Sequence, residues 1–67
     1  MAMRKQDARN LRRGDMVAYP LGSALLPATV IGITFEENGV VVIPIKVPGL
    51  YDDVEVTHRE IFPVEKV

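Results

Sequence analysis

Residues 28–47 read ATVIGITFEENGVVVIPIKV, and this stretch decides the fold. Thr29, Val30, Ile31, Ile33, Thr34 and Phe35 are β-branched or aromatic, the types that suit a pleated, half-buried surface. Ala28 to Phe35 is therefore predicted as one strand and Val40 to Val47 as the next. Between them stands Asn38-Gly39, two residues that tolerate the positive φ of a tight hairpin turn. The two strands should pair antiparallel, and Pro48-Gly49 should end the second.

Working outward, Met16 to Tyr19 reads as a first strand, opened by Gly14-Asp15 and stopped by Pro20. Pro20 to Pro27 is predicted as a loop from its two prolines and Gly22. On the other side, Leu50 to Asp53 carries the chain round into a short strand over Asp53 to Thr57. His58 to Ile61 reads as a single tight turn and Phe62 to Val67 as a last strand. Before Gly14 the apolar residues form no stripe, so at most one helical turn is expected there. The expected class is all-β: a five-stranded antiparallel barrel with a 3₁₀ turn before the last strand. Closure removes the exposed edges that a β protein of 67 residues must manage.

Composition narrows the function classes. Hydrophobic residues make up 48% and charged residues 25%, as in ordinary globular domains and unlike disordered chains. Glycines and prolines interrupt every apolar run long before the ~20 residues of a membrane span, so no membrane association is expected and the cytoplasm is the default location. There is no cysteine, hence no disulfide framework. The net charge of −1 argues against bulk coating of nucleic acid, but its distribution is uneven. Residues 1–13 hold Arg4, Lys5, Arg9, Arg12 and Arg13 against Asp7 alone, whereas residues 14–67 hold three basic residues against eight acids. Residues 1–10 are accordingly expected to be a flexible basic arm and residues 11–67 the barrel domain.

Several segments together resemble the SH3-like barrel superfamily, and within it the Tudor and KOW-type small barrels. They are Leu11-Arg12-Arg13-Gly14-Asp15-Met16-Val17-Ala18 leading into the first strand, Pro27-Ala28-Thr29-Val30-Ile31 on the second, and His58-Arg59-Glu60-Ile61-Phe62-Pro63 as the turn into the last. The resemblance implies a Tudor-like five-stranded barrel. Tudor domains that read methylated lysine or arginine enclose the cation among aromatic faces. Tyr19 stands at a cage position and Tyr51 is a further aromatic contact, but Leu26-Pro27 replaces the aromatic before the second strand. The third strand carries Ile45 and Val47 where a cage would need an aromatic. A complete cage is not expected. The plasmid-borne dihydrofolate reductase shares this kind of barrel, but its substrate motif is not matched by Glu60-Ile61-Phe62-Pro63.

Catalytic and metal chemistry find little to build on. Ser23 and His58 are the sole serine and histidine, and no strained nucleophile turn surrounds Ser23. One histidine without cysteine does not supply a zinc site within one chain. Asp52, Asp53 and Glu55 lack the spacing of a calcium loop. No catalytic residue, cofactor or metal is therefore assigned. The expected function is non-catalytic binding of a protein surface. Nucleic-acid binding through Arg4, Lys5, Arg9, Arg12 and Arg13 is the alternative, and an oligomeric enzyme with a site shared between protomers is a third reading.

Strand parity supplies the last expectations. Lys46 facing solvent turns Val41, Ile43, Ile45 and Val47 inward, to pack with Val17, Val30, Val54, Val56 and Ile61. Val40, Val42 and Pro44 then point outward in a row, and both long strands are apolar on two faces. Self-association, most simply a two-fold dimer, would cover that surface through Val40, Val42 and Pro44 or through the Leu25-Leu26 segment.

Overall fold

A computed structural model describes residues 2–64. One short helix, α1 (Lys5–Arg9), precedes six strands: β1 (Met16–Leu21), β2 (Ala24–Val30), β3 (Phe35–Glu37), β4 (Val40–Lys46), β5 (Val54–Thr57) and β6 (Phe62–Pro63). All pairings are antiparallel, in one curled sheet ordered β3-β4-β2-β1-β6 with β5 on the other side of β4. The chain is all-β, with a partly closed sheet consistent with a small SH3-like barrel. Residues 65–67 of the expected last strand lie outside the described residues.

The Asn38-Gly39 turn forms as read. Glu37 pairs with Val40 across it, and both turn residues have positive φ, 52° and 81°. The tight turn before the last strand forms too, closed by the Glu60 N–H donating to the Thr57 carbonyl at 2.9 Å. The turn has a second clamp: Glu60 Oε1 accepts the Thr57 N–H at 2.8 Å, a reciprocal Thr-x-x-Glu arrangement.

Two boundaries differ from expectation. The segment from Pro20 to Pro27 is not a loop but most of a hairpin, with Leu21 paired to Ala24 around Gly22-Ser23. Gly22 has φ 63°, the positive value a two-residue turn asks of its first central position. Hydrogen-bonded pairs alternate away from such a turn. Pro20 opposite Leu25 and Pro27 opposite Ala18 therefore fall where the ladder requires no N–H. Prolines that read as loop markers are here compatible with strand.

The second difference is that the strand expected over 28–35 is broken into β2 and β3 by a bend at residues 31–34. Both pieces pair with the same edge of β4, Val30 with Ile45 and Phe35 with Val42. Four residues thus face two, and the surplus bulges out. Pro44 sits opposite the bend: its carbonyl accepts the Ile31 N–H at 3.0 Å, and it has no N–H left to pair. A Cβ at Gly32 would stand 3.2 Å from Pro44 Cγ, so the crossing is tight. This break raises the strand count from five to six without changing the order of elements.

The core follows the expected parity. Val17, Val30, Val41, Ile43, Ile45, Val47, Val56 and Ile61 are buried, with Val54 half-buried and Ala28 added. Burial along β4 alternates, with Val40, Val42 and Pro44 half-buried on the outer side. Residues 2–10 take part as well. Met3 is 5% exposed and Ala8 fully buried, α1 packs against β4, and the Met3 N–H donates to the Ile61 carbonyl at 3.0 Å. A flexible arm does not describe a segment that gives two side chains to the core; polar composition concealed them.

Candidate functional site

The two residues weighed for nucleophilic chemistry are engaged elsewhere. Ser23 is exposed at the tip of the β1–β2 hairpin. His58 is 8% exposed, and its Nδ1 accepts the Val41 N–H at 3.2 Å while its own N–H donates to the Val41 carbonyl at 3.0 Å. The imidazole nitrogen thereby stands in for a backbone carbonyl and extends the β4–β5 ladder by one residue beyond Val42–Thr57. Replacing His58 by Ala should strand a buried N–H and cost about 1–3 kcal/mol, read as a lowered midpoint in urea. An unchanged midpoint would show that the ring nitrogen contributes nothing to the ladder. Among the described residues no group of three or more His, Asp and Glu side chains is placed to hold a metal ion.

The basic residues separate into two sets. Arg4 pairs with Asp7 at 3.1 Å, and Lys5 and Arg9 both pair with Glu36, Lys5 at 3.8 Å. The hydrogen bond from Arg9, helped by the charges of Arg9 and Lys5, holds the Glu36 carboxyl below its ordinary range. These three cations are shared with carboxylates. Arg12 and Arg13 make no ion pair among the described residues. The nearby Asp15 carboxylate instead accepts the Arg12 backbone N–H at 2.9 Å, and Glu60 accepts that of Thr57. Both arginines line a cleft of about 430 Å³ against Ile31, Gly32, Ile33 and Thr34.

The expected interface residues also part company. Antiparallel partners share a face, so Met16 with Thr29, Ala18 with Pro27 and Pro20 with Leu25 lie on the outer face of the hairpin. Phe62, paired with Ala18, continues that face onto β6. A groove of about 570 Å³ runs there, lined by Ala18, Leu25, Pro27, Phe62 and Val64, with Leu26 at its margin. Leu25 is 58% exposed, whereas Leu26, one residue on, is half-buried and packed against the core. Val40, Val42 and Pro44 lie on a different stretch of the outer surface, beside exposed Phe35.

The two tyrosines do not converge on either feature. Tyr19 packs against the core opposite Leu26, and Tyr51 stands fully exposed in the segment between β4 and β5. Sequence reasoning passed over Ala18, Phe62 and Val64 as surface-forming residues. The signal was present: no charged residue occurs from Met16 to Phe35, so a strand in this run has no polar face to give to water. No family model, no curated protein and no solved structure matches the chain.

Proposed function

We propose that this chain is a non-catalytic binding module whose first partner is a second copy of itself, joined through the outer face of β6, β1 and β2. One observation carries the reading: a three-stranded outer face built of Ala18, Pro20, Leu25, Pro27, Phe62 and Val64, with no charge on it among the described residues. Monomers seldom leave such a face to water. A stable interface takes about 800 Å² from each partner, roughly a sixth of the 4898 Å² this chain exposes. An uncharged patch is complementary to its own copy about a two-fold axis. The order of elements supports placing the chain in the SH3-like superfamily, and a cytoplasmic location goes with this reading. Among the described residues no helix is long and apolar enough to cross a membrane.

Sedimentation equilibrium tests the proposal. The expected mass is twice the 7.4 kDa of one chain. Leu25→Lys, at an exposed position, should give a folded protein whose dimer dissociates about 30-fold more readily, the size of a central interface residue's effect. A wild-type mass of 7.4 kDa at micromolar concentration would remove the proposal. The nucleic-acid alternative rests on a separate observation, that Arg12 and Arg13 make no ion pair among the described residues. Phosphate contacts, unlike an apolar interface, weaken steeply with added salt.

A further inference from the structure

We infer that the cleft between the 12–15 turn and the 31–34 bend is a binding site for a phosphate ester, separate from the self-association face. The site starts from two adjacent guanidinium groups, Arg12 and Arg13, that make no ion pair among the described residues. Their backbone is pinned. The Asp15 N–H donates to the Arg12 carbonyl at 3.0 Å, the Asp15 side chain takes the Arg12 N–H, and Gly14 and Asp15 occupy both backbone groups of Val30 at 2.8 Å. Turn and sheet therefore move as one piece, and the arginines project from a fixed base. Neighbouring Leu11 is packed against the core and anchors the turn from below.

The opposite wall supplies donors of another kind. The bend takes Gly32, Ile33 and Thr34 out of the ladder, and their N–H groups donate to no protein acceptor among the described residues. Two arginines and a short run of free amides thus line one cleft, a combination that attracts an oxyanion. The carboxylates near it are already engaged: Asp15 by the Arg12 N–H and Glu36 by Arg9 and Lys5. A carboxylate ligand has two oxygens, which one guanidinium satisfies. A phosphate ester offers four tetrahedrally arranged oxygens, with up to two charges in a monoester and one in a diester, so it can use both arginines and the amides as well. Leu11, Ile31 and Ile33, the last 89% exposed, give the ester's organic part an apolar wall. The cleft volume of about 430 Å³ is that of a small-ligand site.

The test follows backbone amide chemical shifts of the full chain during titration with inorganic phosphate, adenosine monophosphate and an oligothymidylate. The expected result is a saturable response centred on Gly14, Gly32, Ile33 and Thr34. The Arg12→Gln, Arg13→Gln double variant should bind at least about tenfold more weakly while its other amides stay in place, because both side chains are exposed. For the oligothymidylate, two phosphate contacts predict about a 25-fold loss of affinity per tenfold rise in salt. That series is measured on the wild-type chain and stands whatever the variant does. Tighter binding of the oligothymidylate than of the mononucleotide assigns a nucleic-acid strand as the source of the phosphate; equal binding assigns a free nucleotide, and either supports the site. The inference is overturned by no saturable response to any of the three, by binding without salt dependence, or by an undiminished response in the double variant. Competition by polyglutamate as strong as by phosphate also overturns it. A monomeric mass in sedimentation leaves it untouched, since the cleft lies within one chain.

Discussion

Replacing Ile43 by Ala is expected to remove a large part of the protein's stability. Ile43 is fully buried at the centre of β4, paired with Val56 on β5 and flanked on its own face by Val41 and Ile45. β4 is the one strand that pairs with three others, β2, β3 and β5, so nothing else can move in to refill the space. Truncating a buried Ile to Ala removes transfer free energy and leaves a cavity, together about 2–5 kcal/mol. At about 0.05–0.15 kcal/mol per residue, a chain of 67 residues has roughly 3–10 kcal/mol in all. Each kcal/mol is worth about 4–8 °C of melting temperature at this size. Thermal unfolding followed by circular dichroism should therefore show a fall of at least about 10 °C. Val42→Ala, one residue away on the half-buried outer row, should lose well under half as much. Equal losses at the two positions, or no loss at Ile43, would mean that the inward face of β4 has been assigned wrongly.

That contrast rests on the part of the fold most legible in the sequence. A single lysine at position 46, among apolar neighbours, sets the parity of β4, and the parity sets the core. Asn38-Gly39 is equally plain, because few residue pairs accept positive φ twice in succession. Proline and glycine are harder to interpret, since one residue type serves opposite ends. Pro20 and Pro27 stop nothing, because each falls at a ladder position that needs no donor, and that depends on the turn at Gly22-Ser23 being two residues long. Pro44 and Gly32 do interrupt pairing, but only together: the missing N–H of one lies opposite the bend at the other, 12 positions away, a relation that local propensity does not contain. The Thr57-His58-Arg59-Glu60 clamp was readable as a capping pattern, whereas the use of the His58 ring as a ladder acceptor was not.

The candidate surfaces were half legible for the same reason. Leu25 and Leu26 were singled out as a pair, but a strand sends neighbours to opposite faces, so Leu25 is exposed on the outer face while Leu26, though it reaches the groove, packs against the core. Among five basic residues near the start of the chain, charge alone could not separate the three that share Asp7 and Glu36 from Arg12 and Arg13. Glu36 is 27 positions from Arg9, and the bend at Gly32 decides where β3 carries it.

Removing residues 1–9 is the second change expected to have a large effect, and it bears on how the barrel is closed. Composition presents this segment as solvated: four of the nine residues are charged and no apolar stripe runs through it. Burial gives a different account. Met3 and Ala8 are two of the eleven buried apolar side chains, and a partly closed sheet without them leaves that end of the core open to water. Burying a methionine is worth about 1.5–3 kcal/mol, and the side chains it covers lose burial when it goes. A five-residue helix is far too short to form by itself, so its order is sustained by packing on β4 and by the Met3–Ile61 hydrogen bond. The truncated chain should therefore be less stable by about 2 kcal/mol, the size of the methionine's own burial. Met3→Ala alone should reproduce most of the loss through the cavity it opens, while Arg4→Gln, at an exposed pair, should change stability by no more than about 0.5 kcal/mol. Urea midpoints of the three variants decide the matter. A truncated chain as stable as the full one would return residues 1–9 to the role of a solvated arm, and the barrel would then have to close without its plug.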